Sequence, residues 1–195
     1  YRYLGNAKIS KKSYALVFWL GIMLVLCVPI VYVCLWNTRF GLALNNYSRE
    51  VFGKNFFSGR QNIWAIALFH VSQARLFGYG FVNEAMSNSG IFVSTHNLFI
   101  NLVLQGGIIL LGIFLVYMYT LWMGYYEHID DEDVRLSAAF LLAVLLRADF
   151  DLILLENDLV LSIFLWLPLI VGTIVSRYLA ASPIQESCVY EKIET

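Results

Sequence analysis

Two stretches, Tyr14 to Trp36 and Leu98 to Tyr126, contain no charged residue and are apolar on every side, with neither the two-residue alternation of a half-buried strand nor a polar helix face. At 1.5 Å per residue each is long enough to cross a hydrocarbon core of about 30 Å, so both are expected to be membrane-spanning helices. Pro29 is expected to kink the first without breaking it. Gly106, Gly107 and Gly112 in the second are small enough to permit close helix contact. A third apolar run, Leu136 to Leu146, is followed by Arg147, Asp149, Asp151, Glu156 and Asp158, and then by apolar Leu159 to Ser176. Two further helices joined by a polar turn fit this pattern, the first of them short enough for its end to sit in a wet cavity.

Composition agrees with a lipid environment. The chain is 59% hydrophobic and only 14% charged, with a mean hydropathy of +0.68, beyond what a soluble domain normally carries. The predicted class is an all-α polytopic membrane protein of about four transmembrane helices, with a long outward loop containing a short amphipathic helix. A net charge of -1 provides no global basic field, which argues against nucleic acid as a partner. Cys27, Cys34 and Cys188 are expected to be small packing residues, not a disulfide or metal framework. Residue 1 is Tyr and no signal peptide is visible, so a segment of a longer chain with further helices upstream is expected.

Arg2, Lys8, Lys11 and Lys12 precede the first helix and place that end in the cytoplasm. The expected organisation is a cytoplasmic basic segment at 1–13, a membrane domain at 14–176 with an outer loop at 37–97, and a cytoplasmic tail at 177–195 that is loosely ordered after Ser182. The acidic loop before Leu136 is expected to cap the third helix.

The outer loop carries the candidate chemistry. Arg60 to Arg75 reads as a short helix with Ser58-Gly59 at its start, and Arg60 lies at the positive end of the helix dipole, where an anion is favoured. Arg60 can hold a phosphate there or reach to lipid headgroups, and the same alternatives apply to Arg75. Arg39 and Arg49 are further cations on this loop. Gly78 and Gly80 allow a tight turn and close approach of backbone to a ligand. Asn83, Glu84 and Asn88 are placed at a polar mouth. Thr95 or Asn97 can cap the second long helix. His96 beside that N-terminus is either a capping histidine or, held uncharged by the dipole, a general base. His70 is expected to be a packed side chain and His128 to lie across the membrane. Asp149-Phe150-Asp151 has the form of a metal-binding D-x-D pair, but alternate helix residues face apart and Arg147 is near, so an ion-paired vestibule is preferred.

Ser58-Gly59-Arg60, Trp64, Leu76-Phe77-Gly78-Tyr79-Gly80 and His96-Asn97, leading into a helix with Gly106-Gly107, together resemble the core of the bacterial O-antigen ligase and polysaccharide polymerase family. The resemblance implies a multi-pass protein of the bacterial cytoplasmic (inner) membrane with its active site facing outward. It implies an inverting, metal-independent glycosyltransferase that uses no cofactor. The implied partners are a polyprenyl-diphosphate-linked glycan donor, a glycan acceptor, the lipid bilayer and other polysaccharide-assembly proteins, in O-antigen (lipopolysaccharide), capsule or exopolysaccharide biosynthesis. Within that resemblance Arg60 is the diphosphate-binding arginine and His96 the catalytic base. Arg75, Arg39, Trp64, Gly78, Gly80 and Asn97 are expected to bind substrate, with Arg39 or Arg49 standing for a second family arginine. The rival readings are a transporter of lipid-linked or anionic solutes, in which His96 relays protons, and a structural membrane subunit. An intramembrane protease is disfavoured by the lack of H-E-x-x-H.

Overall fold

A computed structural model describes residues 9–80, 95–150 and 159–193; of 159–161 and 182–193 only the backbone is described. Six α-helices and one 3-10 turn make up the regular structure of these residues: α1 (Lys11–Trp36), α2 (Arg39–Phe52), α3 (Arg60–Gln73), α4 (Leu98–Gly124), the 3-10 turn Tyr126–His128, α5 (Glu132–Arg147) and α6 (Leu159–Ile193). The chain is all-α, and among the described residues three segments are long and apolar enough to span a membrane: Lys11–Trp36, Leu98–His128 and Ser162–Ala181. The third apolar run forms α5, whose 16 residues fall short of a full crossing.

The helices start where short polar side chains satisfy their free amides. Ser10 caps α1 through Ser13, Thr38 caps α2 through Gly41, and Asn97 caps α4 through Ile100. The expected acidic cap of α5 is Asp131, which accepts from the amides of Asp133 and Val134. Helix α1 continues through Pro29, which is buried. Beyond Ser182, where a loosely ordered end is expected, α6 remains helical to Ile193.

The main core lies between α1, α4, α5 and α6, around Phe18, Ile22, Met118, Leu141 and Leu169. One end of the bundle is tied by aromatic and hydroxyl contacts. Tyr14 stacks on Trp122 at 4.2 Å, the Trp122 indole donates to the Tyr14 carbonyl, and Ser176 donates to the Gly124 carbonyl. At the other end the C-terminus of α5 meets the start of α4, where the Leu98 amide donates to the Ala148 carbonyl at 2.9 Å.

Helix α3 lies against α1 and the first half of α4, with Trp64 and Ala67 buried beside Ile100 and Leu104. It is not the amphipathic helix of the loop. That character belongs to α2, which the sequence reading did not separate from the loop: Phe40, Ala43, Leu44, Tyr47 and Val51 recur at three- and four-residue intervals on one side.

Inside α4, Gly106 and Gly107 leave helical geometry, Gly107 at φ 66° and ψ -167°. The segment after α3 docks into the break. Tyr79 N donates to the Leu104 carbonyl (2.7 Å), Gly80 N to the Gln105 carbonyl (2.8 Å), and Ile108 N to the Arg75 carbonyl (2.8 Å). Non-helical backbone at membrane depth is tolerated where protein satisfies it in this way. The glycines are needed for the close approach. A Cβ on Gly107 would run into the carbonyl of Leu76, and one on Gly78 would lie 2.6 Å from the Leu104 oxygen. Gly112, by contrast, faces open space and makes no close helix contact among the described residues.

Candidate functional site

Arg60 opens α3 after Gly59, a left-handed N-cap at φ 91° that brings no side chain to the helix amides. These amides and the guanidinium therefore present positive charge together. Arg60 is half-buried. Its Nη2 donates to the Phe150 carbonyl at 3.3 Å and its guanidinium lies 5.8 Å from the centre of the Phe150 ring. Tyr32 holds the loop before it, donating to the Phe56 carbonyl and accepting from the Ser58 amide.

Trp64, one turn further along α3, is fully buried and donates from its indole to the Thr95 carbonyl at 2.8 Å. His96 follows in the left-handed region at φ 47°, the one non-glycine residue there among those described. Such a conformation is held only where its surroundings enforce it. Those surroundings are Thr95, whose hydroxyl donates to the Asn97 carbonyl, and Asn97, which is fully buried.

Asn97 does more than cap α4. Its amide nitrogen donates both to the Asp149 carbonyl (3.0 Å) and to the Asp149 carboxylate (2.8 Å). Asp149 lies beyond the end of α5 and is 1% exposed. Burial pushes its carboxyl up to about 7, against the smaller opposing effect of the Asn97 amide. The ion-paired arrangement expected around Arg147 is not what holds Asp149: Arg147 is exposed, and the carboxylate turns inward to Asn97. The sequence signal for this pairing was weak, since 52 residues separate the partners.

Arg60, Trp64, His96, Asn97, Asp149 and Phe150 thus gather at one end of the bundle, linked through Phe150 on one side and the Trp64–Thr95 bond on the other. Beside Arg60 runs a groove of about 460 Å³, lined by Leu24, Cys27, Val28, Val31, Tyr32 and Leu35 of α1, and by Phe56, Ser58 and Phe150. It is apolar along α1 and cationic at the Arg60 end. Cys27 lines it, and both Cys27 and Cys34 are free thiols outside the core.

The other candidates lie elsewhere. Arg75 stands beyond the far end of α3, about 20 Å of helix from Arg60. Its Nε donates to the Ser72 carbonyl. Gly78 and Gly80 are committed to the break in α4. Arg39 is exposed at the start of α2, and Arg49 donates to Asn55 at 2.9 Å. His70 packs edge-on to Phe69 and Tyr79. His128 is at the opposite end of the bundle, in the 3-10 turn. Asn83, Glu84, Asn88, Asp151, Glu156 and Asp158 lie outside the described residues.

A family model described as O-antigen ligase matches residues 4–115, more than half of the chain. No curated protein matches, and no solved structure matches.

Proposed function

The chain belongs to the O-antigen ligase family, and on that footing we propose that it joins glycans from a polyprenyl-diphosphate-linked donor, as a polymerase or a ligase, with Arg60 and His96 as its catalytic groups. Membership carries the coarser statement by itself: a multi-pass membrane protein with a glycan-processing activity of the ligase or polymerase type. The finer reading rests on the shared location of Arg60 and His96 at one end of the bundle, beside an apolar groove.

The chemistry follows from the donor. A sugar whose anomeric carbon is bonded to a diphosphate already has a good leaving group. The acceptor hydroxyl oxygen forms a bond to that carbon as the carbon–oxygen bond to the diphosphate breaks, and the bonding pair leaves with the polyprenyl diphosphate. Arg60, supported by the open amides of α3, balances the charge growing on the departing phosphate. His96 takes the acceptor proton, and the single displacement inverts the anomeric centre. The groove along α1 offers the donor's hydrocarbon an apolar path to the guanidinium.

The test is made in the full-length protein. Arg60→Ala and His96→Ala are each expected to lower glycan transfer by about 100-fold or more while leaving membrane insertion and thermal stability near wild type. Unchanged transfer in both variants overturns the assignment. Reconstitution with a polyprenyl-diphosphate glycan separates this reading from transport, because only an enzyme forms new glycosidic bonds.

A further inference from the structure

We propose that α2 is an interfacial helix, lying on the lipid surface at the Arg60 end of the bundle and setting the depth at which Arg60 meets that surface. The occupant of its apolar face is the bilayer itself.

Three observations converge on this. First, α2 carries a stripe of exposed apolar residues: Phe40, Tyr47 and Val51 are 65%, 59% and 54% exposed, with Ala43 also exposed and Leu44 between them, while Leu42 and Phe52 are exposed off the stripe. A stripe of this kind in contact with water is unfavourable by the apolar area it displays. Second, the roll of the helix is fixed by its other side. Asn45 accepts from the Phe57 amide, Ser48 donates to the Lys54 carbonyl, and Arg49 donates to Asn55. The polar side is therefore turned to residues 54–57 and the stripe away from them. Third, only Asn37 and Thr38 separate α2 from α1, whose Leu24, Ile30 and Val31 are exposed as lipid-facing residues of a spanning helix are. The stripe thus begins at the membrane boundary, within one turn of Trp36, in continuity with a lipid-contacting surface. Exposed Arg39, Arg49 and Lys54 outnumber Glu50 around it, suited to headgroup phosphates.

The consequence for the site is mechanical. The loop that α2 grips is the one whose Ser58-Gly59 leads into Arg60. A helix seated on the surface would hold the guanidinium at the level where a lipid-linked phosphate lies, independently of which sugar that lipid carries.

The experiment uses the full-length protein, in a cysteine-free background, in vesicles of phosphatidylethanolamine and phosphatidylglycerol. Single cysteines at Phe40, Tyr47 and Val51 on the stripe, and at Leu42 and Asn46 off it, carry an environment-sensitive fluorophore. Shallow spin-labelled lipid is expected to reduce emission about twofold at the three stripe positions and little at the other two, with aqueous iodide giving the reverse order. Leu42 is the informative control, because it is apolar and 55% exposed but lies off the stripe. Equal quenching at all five positions overturns the proposal. So does protection of the stripe from both lipid and iodide, which would mean that polypeptide covers it. Glycan transfer is not part of the readout, so a failure here leaves the roles of Arg60 and His96 standing.

Discussion

His96 is held at φ 47°, a backbone conformation that costs a residue with a side chain about 1 kcal/mol or more relative to glycine. The His96→Gly variant is accordingly expected to unfold about 1 kcal/mol less readily in thermal denaturation while transfer falls by about 100-fold or more. Lower stability would instead mark the imidazole as a structural element. Asp149 makes a second residue-scale prediction. Its carboxyl is raised to about 7, so the folded protein holds a proton there that the unfolded chain releases near the ordinary carboxylate value. The resulting stabilisation is fully present below about pH 4 and is lost as pH rises through 7. Asp149→Asn imitates the protonated acid and keeps an oxygen for the Asn97 amide. Its melting temperature is expected to vary less between pH 5 and 8 than that of wild type, and to exceed it above pH 7; parallel profiles would rule the titration out. That Thr95 or Asn97 caps α4 and an acidic residue of the preceding loop caps α5 is legible in the sequence, because a capping side chain lies next to the helix it starts; the structure selects Asn97 and Asp131. The Asn97–Asp149 bond was not, because nothing local in a chain announces a partner 52 residues away.

Elements were legible in proportion to how uniform they are. α1 and α4 have no charge for more than twenty residues and admit no other reading, whereas in α2 the apolar positions alternate along the chain with Gly41 and polar residues, so that its mean composition is that of a loop. The break in α4 was hidden for a related reason. Glycine is common in membrane helices, and the sequence does not say whether Gly106, Gly107 or Gly112 is merely small or conformationally required. The structure separates these roles, and two substitutions test the separation. Gly107→Ala must adopt a backbone region closed to alanine and collide with the Leu76 carbonyl, so a loss above about 4 kcal/mol, seen as failure to recover monodisperse protein, is expected. Gly112→Ala meets open space and is expected to be neutral or to stabilise by up to about 1 kcal/mol. Equal tolerance of both would mean that α4 runs straight.

On the scale of the whole molecule, the two ends of the bundle differ in what they carry. Lys11, Lys12, Arg135 and Arg177 belong to the end where Tyr14 stacks on Trp122, whereas at the other end Arg147 closes α5 and the other cations sit on a loop of about 60 residues, where they weigh little in setting orientation. Cysteines substituted for Lys54 and Lys12 in intact cells are therefore expected to differ, the first reacting with a membrane-impermeant maleimide and the second protected. The opposite pattern would turn the Arg60 end to the cytoplasm. That Arg60 and His96 share an end was within reach of the sequence, because both flank uncharged spans on one loop. That they are joined through Phe150 and Trp64 was not.

The docking of Tyr79 and Gly80 onto the carbonyls of Leu104 and Gln105 also orders events in time. During synthesis the chain around Arg75 to Gly80 emerges before its acceptors exist, and until α4 has threaded into the lipid those amides have only water to bind. Assembly of this corner is then a late step, and the ribosome must extend the chain by about twenty-five residues beyond Tyr79 and Gly80 before their acceptors, Leu104 and Gln105, are made.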